Sequence, residues 1–181
     1  MSTLSPIEKP ADLQSSLPRI LLVGIAGLLL VVLEGALAVW DVFYAAVPLT
    51  TLAFIFYLRL NFPYLLPLVT VFLMGLFGEL MFADMLGSRS TALLLVAVMT
   101  SFRSASLQHS EFLDLWSNFC LIVLLYMGIR LAVFIAYYFT IPEWQPLFFQ
   151  AGVTMFMFPL FFVILASLST MMGQIFGVDT D

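Results

Sequence analysis

The sequence predicts an all-α fold: a polytopic membrane protein built as a bundle of six transmembrane helices, with both termini in the cytoplasm. Three observations predict it. Charged residues make up 9% of the 181-residue chain and hydrophobic ones 63%, and the mean hydropathy is +1.13. A soluble domain carries about 25% charged residues, so this chain could not cover its own exterior with polar side chains. The apolar residues also fall in six runs, each near the roughly 20 residues that a helix needs to cross a bilayer. Finally, the connections are short, and no segment is long and polar enough for a soluble domain of any size.

Taken in order, 1–18 is polar and carries Pro and Ser, and reads as a disordered cytoplasmic tail. The first span is 20–40. Its apolar stretch from Ile20 to Leu33 also resembles a secretory signal core, with Ala36-Leu37-Ala38 as a cleavage-like site. Membrane-type segments follow it throughout, so it is expected to remain as a helix. The second and third spans, 43–60 and 62–83, meet at Asn61, and Pro63 and Pro67 fall at a helix start, where a missing N–H costs little. The fourth, 88–107, has a short apolar centre bounded by Arg89 and Arg103, whose long side chains would snorkel to the two interfaces. A re-entrant hairpin is the alternative there. The longer cytoplasmic piece 103–114, "RSASLQHSEFLD", leads into the fifth span, 116–139. Residues 140–146 lead to the sixth, 147–172, which Pro159 should kink. The six-helix domain thus covers 19–176, and 177–181 is a second cytoplasmic tail.

Orientation follows the placement of Lys and Arg. With the N-terminus inside, Lys9, Arg19, Arg59 and Arg103 are cytoplasmic and Arg89 is outside. Trp40, Tyr44, Tyr64, Trp116, Tyr138 and Trp144 then fall near interfaces, where amphipathic rings prefer to lie.

Several functions are disfavoured. The net charge is −5 and no basic cluster exists, so neither nucleic acid nor anionic headgroups are expected partners; the bilayer itself is. Cys120 is the single cysteine and His109 the single histidine, which leaves no disulfide framework, Cys-rich site or multi-histidine metal centre. Asp41, Asp84 and Asp114 stand at span ends, and no paired acids, Ser/His pair or phosphate loop is present. No catalytic residue, metal or cofactor is expected.

The buried charges are the remaining polar feature. A charge in hydrocarbon costs about 2.5–3.5 kcal/mol on the lenient insertion scale, so it is normally paired or faces water. Arg130 lies deep in the fifth span, and Glu34 and Glu79 lie in the same half of the membrane. These three are expected to form an intramembrane polar cluster, Arg130 pairing with Glu79 or Glu34 through its bidentate fork. Gly75 and Gly78 precede Glu79 and allow close backbone approach; Asp84 and Leu86-Gly87 make the turn, and the chain re-enters at Arg89.

That stretch resembles the MreD family of rod shape-determining membrane proteins. The shared pattern is Gly75-Leu76-Phe77-Gly78-Glu79, then Leu86-Gly87, then the apolar run 92–98, with Pro48 and the aromatic pair Phe56-Tyr57 upstream. Leu49 stands where the family usually has an aspartate, and Glu79 where it usually has Asp. The resemblance covers about residues 45–140. It implies a non-catalytic scaffold in the bacterial inner membrane, working in the elongation machinery beside the actin-like MreB, the periplasmic coiled-coil MreC and peptidoglycan synthases. Cytoplasmic contacts would use the 103–114 loop, including Arg103, Glu111 and Asp114, and outer contacts the 84–90 turn. The family's fold is similar to the substrate-binding subunits of vitamin transporters, which makes a small-molecule binder the alternative. A cavity beside Arg130 would favour that alternative.

Overall fold

The structure, a computed structural model, describes residues 13–39, 47–107 and 111–176. Among these the chain is helical, with no strand. The elements are α1 (Leu13–Ala38), α2 (Thr50–Asn61), a 3-10 turn (Pro63–Leu65), α3 (Leu68–Phe82), α4 (Ser88–Leu107), α5 (Phe112–Tyr138) and α6 (Trp144–Phe176). Trp40, Asp41, Tyr44 and His109 lie outside the described residues.

Among the described residues, three helices are long and apolar enough to cross a membrane: α1 over Leu17–Ala38, α5 over its whole length, and α6 over Trp144–Leu168. Their outward faces are apolar, as at Leu21, Ile25 and Leu29 of α1, Leu121 and Leu124 of α5, and Phe148, Phe156 and Val163 of α6. So large an exposed apolar surface fits contact with lipid and marks the chain as a membrane protein.

Four boundaries differ from the sequence expectation. α1 begins at Leu13, inside the expected tail 1–18, and carries Pro18 near its start, where a missing N–H removes only an early hydrogen bond. The expected span 43–60 is not one long helix. Residues 47–49 are irregular because Pro48 disfavours the helical region for Val47, and α2 starts only at Thr50. The 62–83 span is likewise broken: Pro63 opens the 3-10 turn and Pro67 caps a 15-residue α3. The fourth span matches its expected range, Ser88–Leu107, but α5 begins at Phe112 rather than 116, so 103–107 and 112–114 of the expected 103–114 loop are helical. The polar residues toward the end of α4 are held within the helix: the hydroxyls of Thr100, Ser101 and Ser104 bond back to the carbonyls of Val96, Ala97 and Ser101.

The shortened α2 is the axis of the bundle. At 12 residues it is about 18 Å long, and everything from Thr50 to Leu60 is buried. It packs against α1, α4, α5 and α6. Aromatic rings fill the centre: Phe119 of α5 stacks on Phe158 of α6 at 3.9 Å, and Phe56 of α2 meets both at 5.3 and 5.7 Å. Nε1 of Trp116 donates to the carbonyl of Met155 at 2.9 Å and joins α5 to α6 one helical turn from these rings.

α3 and α4 form the tightest joint. A Cβ at Gly75 would lie 2.5 Å from the Ser90 Cα, and one at Gly78 would lie 2.7 Å from Nε of Arg89. Backbone cannot yield as a flexible side-chain tip can. Gly75→Ala is therefore expected to cost about 1–3 kcal/mol, read as a lower thermal unfolding midpoint in detergent. An unchanged midpoint would contradict this packing. The turn itself carries strain at Ala83, which is left-handed at φ 50°. A non-glycine residue there costs about 1–2 kcal/mol, so Ala83→Gly is expected to raise the same midpoint, by up to about 1 kcal/mol of stability.

Candidate functional site

The described polar side chains concentrate at the end of the bundle where α1 finishes, α2 starts, and α3 turns into α4. Helix starts explain why. The first N–H groups of a helix lack intrahelical acceptors and need partners from elsewhere. Leu49 and Gly87, which precede α2 and α4, bring no acceptor side chain. Glutamates from the preceding helices supply the acceptors instead. Oε1 of Glu34, on α1, accepts from the Thr51 N–H at 2.6 Å and the Thr50 hydroxyl at 3.1 Å. Oε1 of Glu79, on α3, accepts from the Ser90 N–H at 2.7 Å and its hydroxyl at 3.0 Å. Its Oε2 accepts from the Gly87 N–H at 2.8 Å. Negative charge at these positive helix ends is also favourable.

Arg89 links the two caps. Its NH2 donates to Oε2 of Glu34, both side chains being buried, while the guanidinium lies 4.9 Å from the Phe82 ring centroid. The expectation that Arg89 snorkels to an interface is thereby corrected. The absence of a Cβ at Gly78 leaves room for the side chain to turn inward toward Glu34.

The pairing expected for Arg130 is corrected too. Its NH2 donates to Oδ2 of Asp84 at 2.7 Å, not to Glu79 or Glu34. Both glutamates are already occupied by helix N-termini, and Asp84 is carried over α5 by the α3–α4 turn. That turn has its own support: the Asp84 N–H donates to the Glu79 carbonyl at 3.0 Å, and Gly87 adopts φ 89°, which suits glycine. Leu86 at its tip is exposed.

A cavity of about 220 Å³ opens at this end of the bundle. Glu34, Asp84, Arg89, Arg130 and Gln150 line it with apolar side chains between them, while Glu79 stays within the α3–α4 joint and does not. Nε2 of Gln150 donates to the Val47 carbonyl, and the Leu49 N–H to the Thr154 hydroxyl, so α6 holds the irregular approach to α2.

The opposite end is less organised. Arg103 is exposed and donates to Oδ1 of Asn118 at 2.8 Å. Glu111 and Asp114 are exposed at the start of α5, engaged through their backbone carbonyls by Leu115, Ser117 and Asn118. Arg59 is buried, with NH1 on the Ser101 hydroxyl at 3.3 Å and no hydrogen-bond partner for its other two nitrogens.

Chemically, the carboxylates of this site serve helix starts and guanidiniums. The oxygens of Glu34 and Glu79 are directed at helix ends and a guanidinium, so neither is poised as a base. Among the described residues no group of three or more His, Cys, Asp or Glu could hold a metal ion. Sequence reasoning missed Arg89 and Asp84 as ion-pair partners and both glutamates as caps. The available signal was the missing cap residue before α2 and α4.

These features define a helical membrane protein with a charge-stitched end. No family model, curated protein or solved structure matches the chain.

Proposed function

We propose that this chain is a non-catalytic scaffold of the bacterial cell-elongation machinery, an MreD-like protein of the inner membrane. In this reading it crosses the membrane six times with both termini in the cytoplasm. It organises peptidoglycan synthesis through MreC-like, MreB-like and synthase partners. The observation that carries it is the position of the family-like residues: Gly75, Gly78, Glu79 and Gly87 all serve the α3–α4 joint. The most polar part of the resemblance is thus spent on architecture rather than on reaction chemistry.

Depleting the protein in a rod-shaped host that carries it tests the reading. Rounded cells are expected; cells that keep their rods overturn it. Orientation has a separate test. Leu86→Cys in a Cys120→Ser background should react with an impermeant maleimide from the outer side, and reaction only after permeabilisation would reverse the topology.

The cavity beside Arg130 favours a second reading, the substrate-binding subunit of a small-molecule transporter. Loss of vitamin uptake with normal cell shape after depletion would select it.

A further inference from the structure

The two ion pairs at the cavity differ in a way their shared location hides. Arg89 and Glu34 are dry, with side chains 4% and 1% exposed, and their link sits beneath helix caps. Arg130 and Asp84 are 20% and 28% exposed and joined by a single hydrogen bond. Held by one hydrogen bond and partly exposed, this pair opens more readily than the enclosed one. The fold of the turn does not depend on it. The turn is held by the Asp84 N–H and by the carboxylate of Glu79, neither of which involves the Asp84 side chain. Arg130 keeps its place with its guanidinium 5.9 Å from the Tyr126 ring centroid. Its Nε is buried and has no partner. The adjoining volume, about 220 Å³, is far above the roughly 10–15 Å³ that one water requires.

We propose that this cavity binds a small zwitterion carrying a primary ammonium and a carboxylate or phosphate. The anionic end takes the guanidinium of Arg130, which can offer more than one donor to a planar or tetrahedral anion. The ammonium end takes the carboxylate of Asp84. The internal pair separates and each member gains an external partner, so no charge is stranded. A simple anion would leave Asp84 without a partner, and a simple cation would strand Arg130, the less exposed of the two. The site's own balance, two guanidiniums against two carboxylates, favours a ligand that is itself neutral overall. A free amino compound and the phosphoethanolamine headgroup of a lipid offer the same chemistry. The inference stands on the cavity alone, whether the chain organises partners or delivers a solute.

The test uses the full chain purified in detergent. Free sn-glycero-3-phosphoethanolamine, a phosphodiester that is neutral overall like the lipid headgroup, is titrated by calorimetry. Phosphatidylethanolamine and phosphatidylglycerol are compared by native mass spectrometry, with inorganic phosphate as the plain-anion control. Saturable binding of either ethanolamine compound, in preference to phosphatidylglycerol and phosphate, is expected. Binding of the free compound assigns a soluble ligand, and binding of the lipid alone assigns a headgroup; both support the site. Arg130→Gln should weaken binding by about tenfold or more. Asp84→Asn should abolish the preference over phosphatidylglycerol, and its thermal midpoint without ligand shows that it folds. Equal binding of phosphatidylglycerol, no binding at all, or binding indifferent to both substitutions overturns the proposal. Cell shape and vitamin uptake are separate readouts, so failure here leaves the functional readings where they stand.

Discussion

Glu34→Ala is expected to cost about 3–5 kcal/mol, the usual penalty for removing one partner of a buried ion pair. Three groups lose an acceptor together: the Arg89 guanidinium, the Thr51 N–H and the Thr50 hydroxyl. Arg89 is 3% exposed, so its guanidinium is left buried without its partner. The measurement is the thermal unfolding midpoint of the detergent-solubilised protein, with membrane abundance as the readout where the variant does not survive purification. Removing both charges should cost less than removing one, because well-packed neutral residues often replace a buried pair without loss. Glu34→Gln with Arg89→Met is therefore expected to recover part of the deficit, since the amide oxygen can still accept from Thr51. A double variant worse than Glu34→Ala alone would show that Arg89 is not stranded by the single change.

Glu79→Ala is expected to be nearly as damaging, at about 3 kcal/mol, through loss of the α4 cap rather than of an ion pair. The Gly87 and Ser90 N–H groups and the Ser90 hydroxyl all bond to this carboxylate, and an orphaned buried donor costs about 1–3 kcal/mol. Glu79→Gln distinguishes geometry from charge. An amide retains one acceptor oxygen, but its NH2 must face an N–H donor, so an intermediate loss is expected. Hydrogen exchange supplies the local measurement. Protection of the first turn of α4 should fall in Glu79→Ala while the α5–α6 contact at Trp116 and Met155 stays protected. Uniform loss over both regions would mean that Glu79 supports the whole bundle rather than one helix start.

The helical class was legible because apolar runs of this length admit few other solutions in lipid. The concentration of charge at the α3–α4 turn was legible too, since Glu79, Asp84 and Arg89 are scarce residue types close together in sequence. Their partners were not. Glu34 lies 55 residues from Arg89 and Asp84 lies 46 from Arg130, and no local pattern encodes pairings across such separations. The expected Arg130–glutamate pair rested on depth in the membrane alone, and it left out the demand of two uncapped helices for acceptors. The shortening of α2 and α3 follows from Pro48 and Pro67, whose effects on neighbouring backbone were visible but had been outweighed by hydropathy. Nor could hydropathy show that α2 is buried on every side. An apolar helix facing lipid and one enclosed by other helices have the same composition.

The borrowed caps have a consequence for how the chain assembles. Each acceptor is synthesised before the helix start it serves: Glu34 precedes Thr51, and Glu79 precedes Ser90. The capping bonds of each half of the first four helices can therefore form as soon as its second member emerges. The contact between Arg89 and Glu34 then acts as a latch, fastening the later hairpin onto the earlier one. Separately expressed fragments divided near Leu66 would each carry the carboxylate that their own second helix requires, and would find one another through that latch.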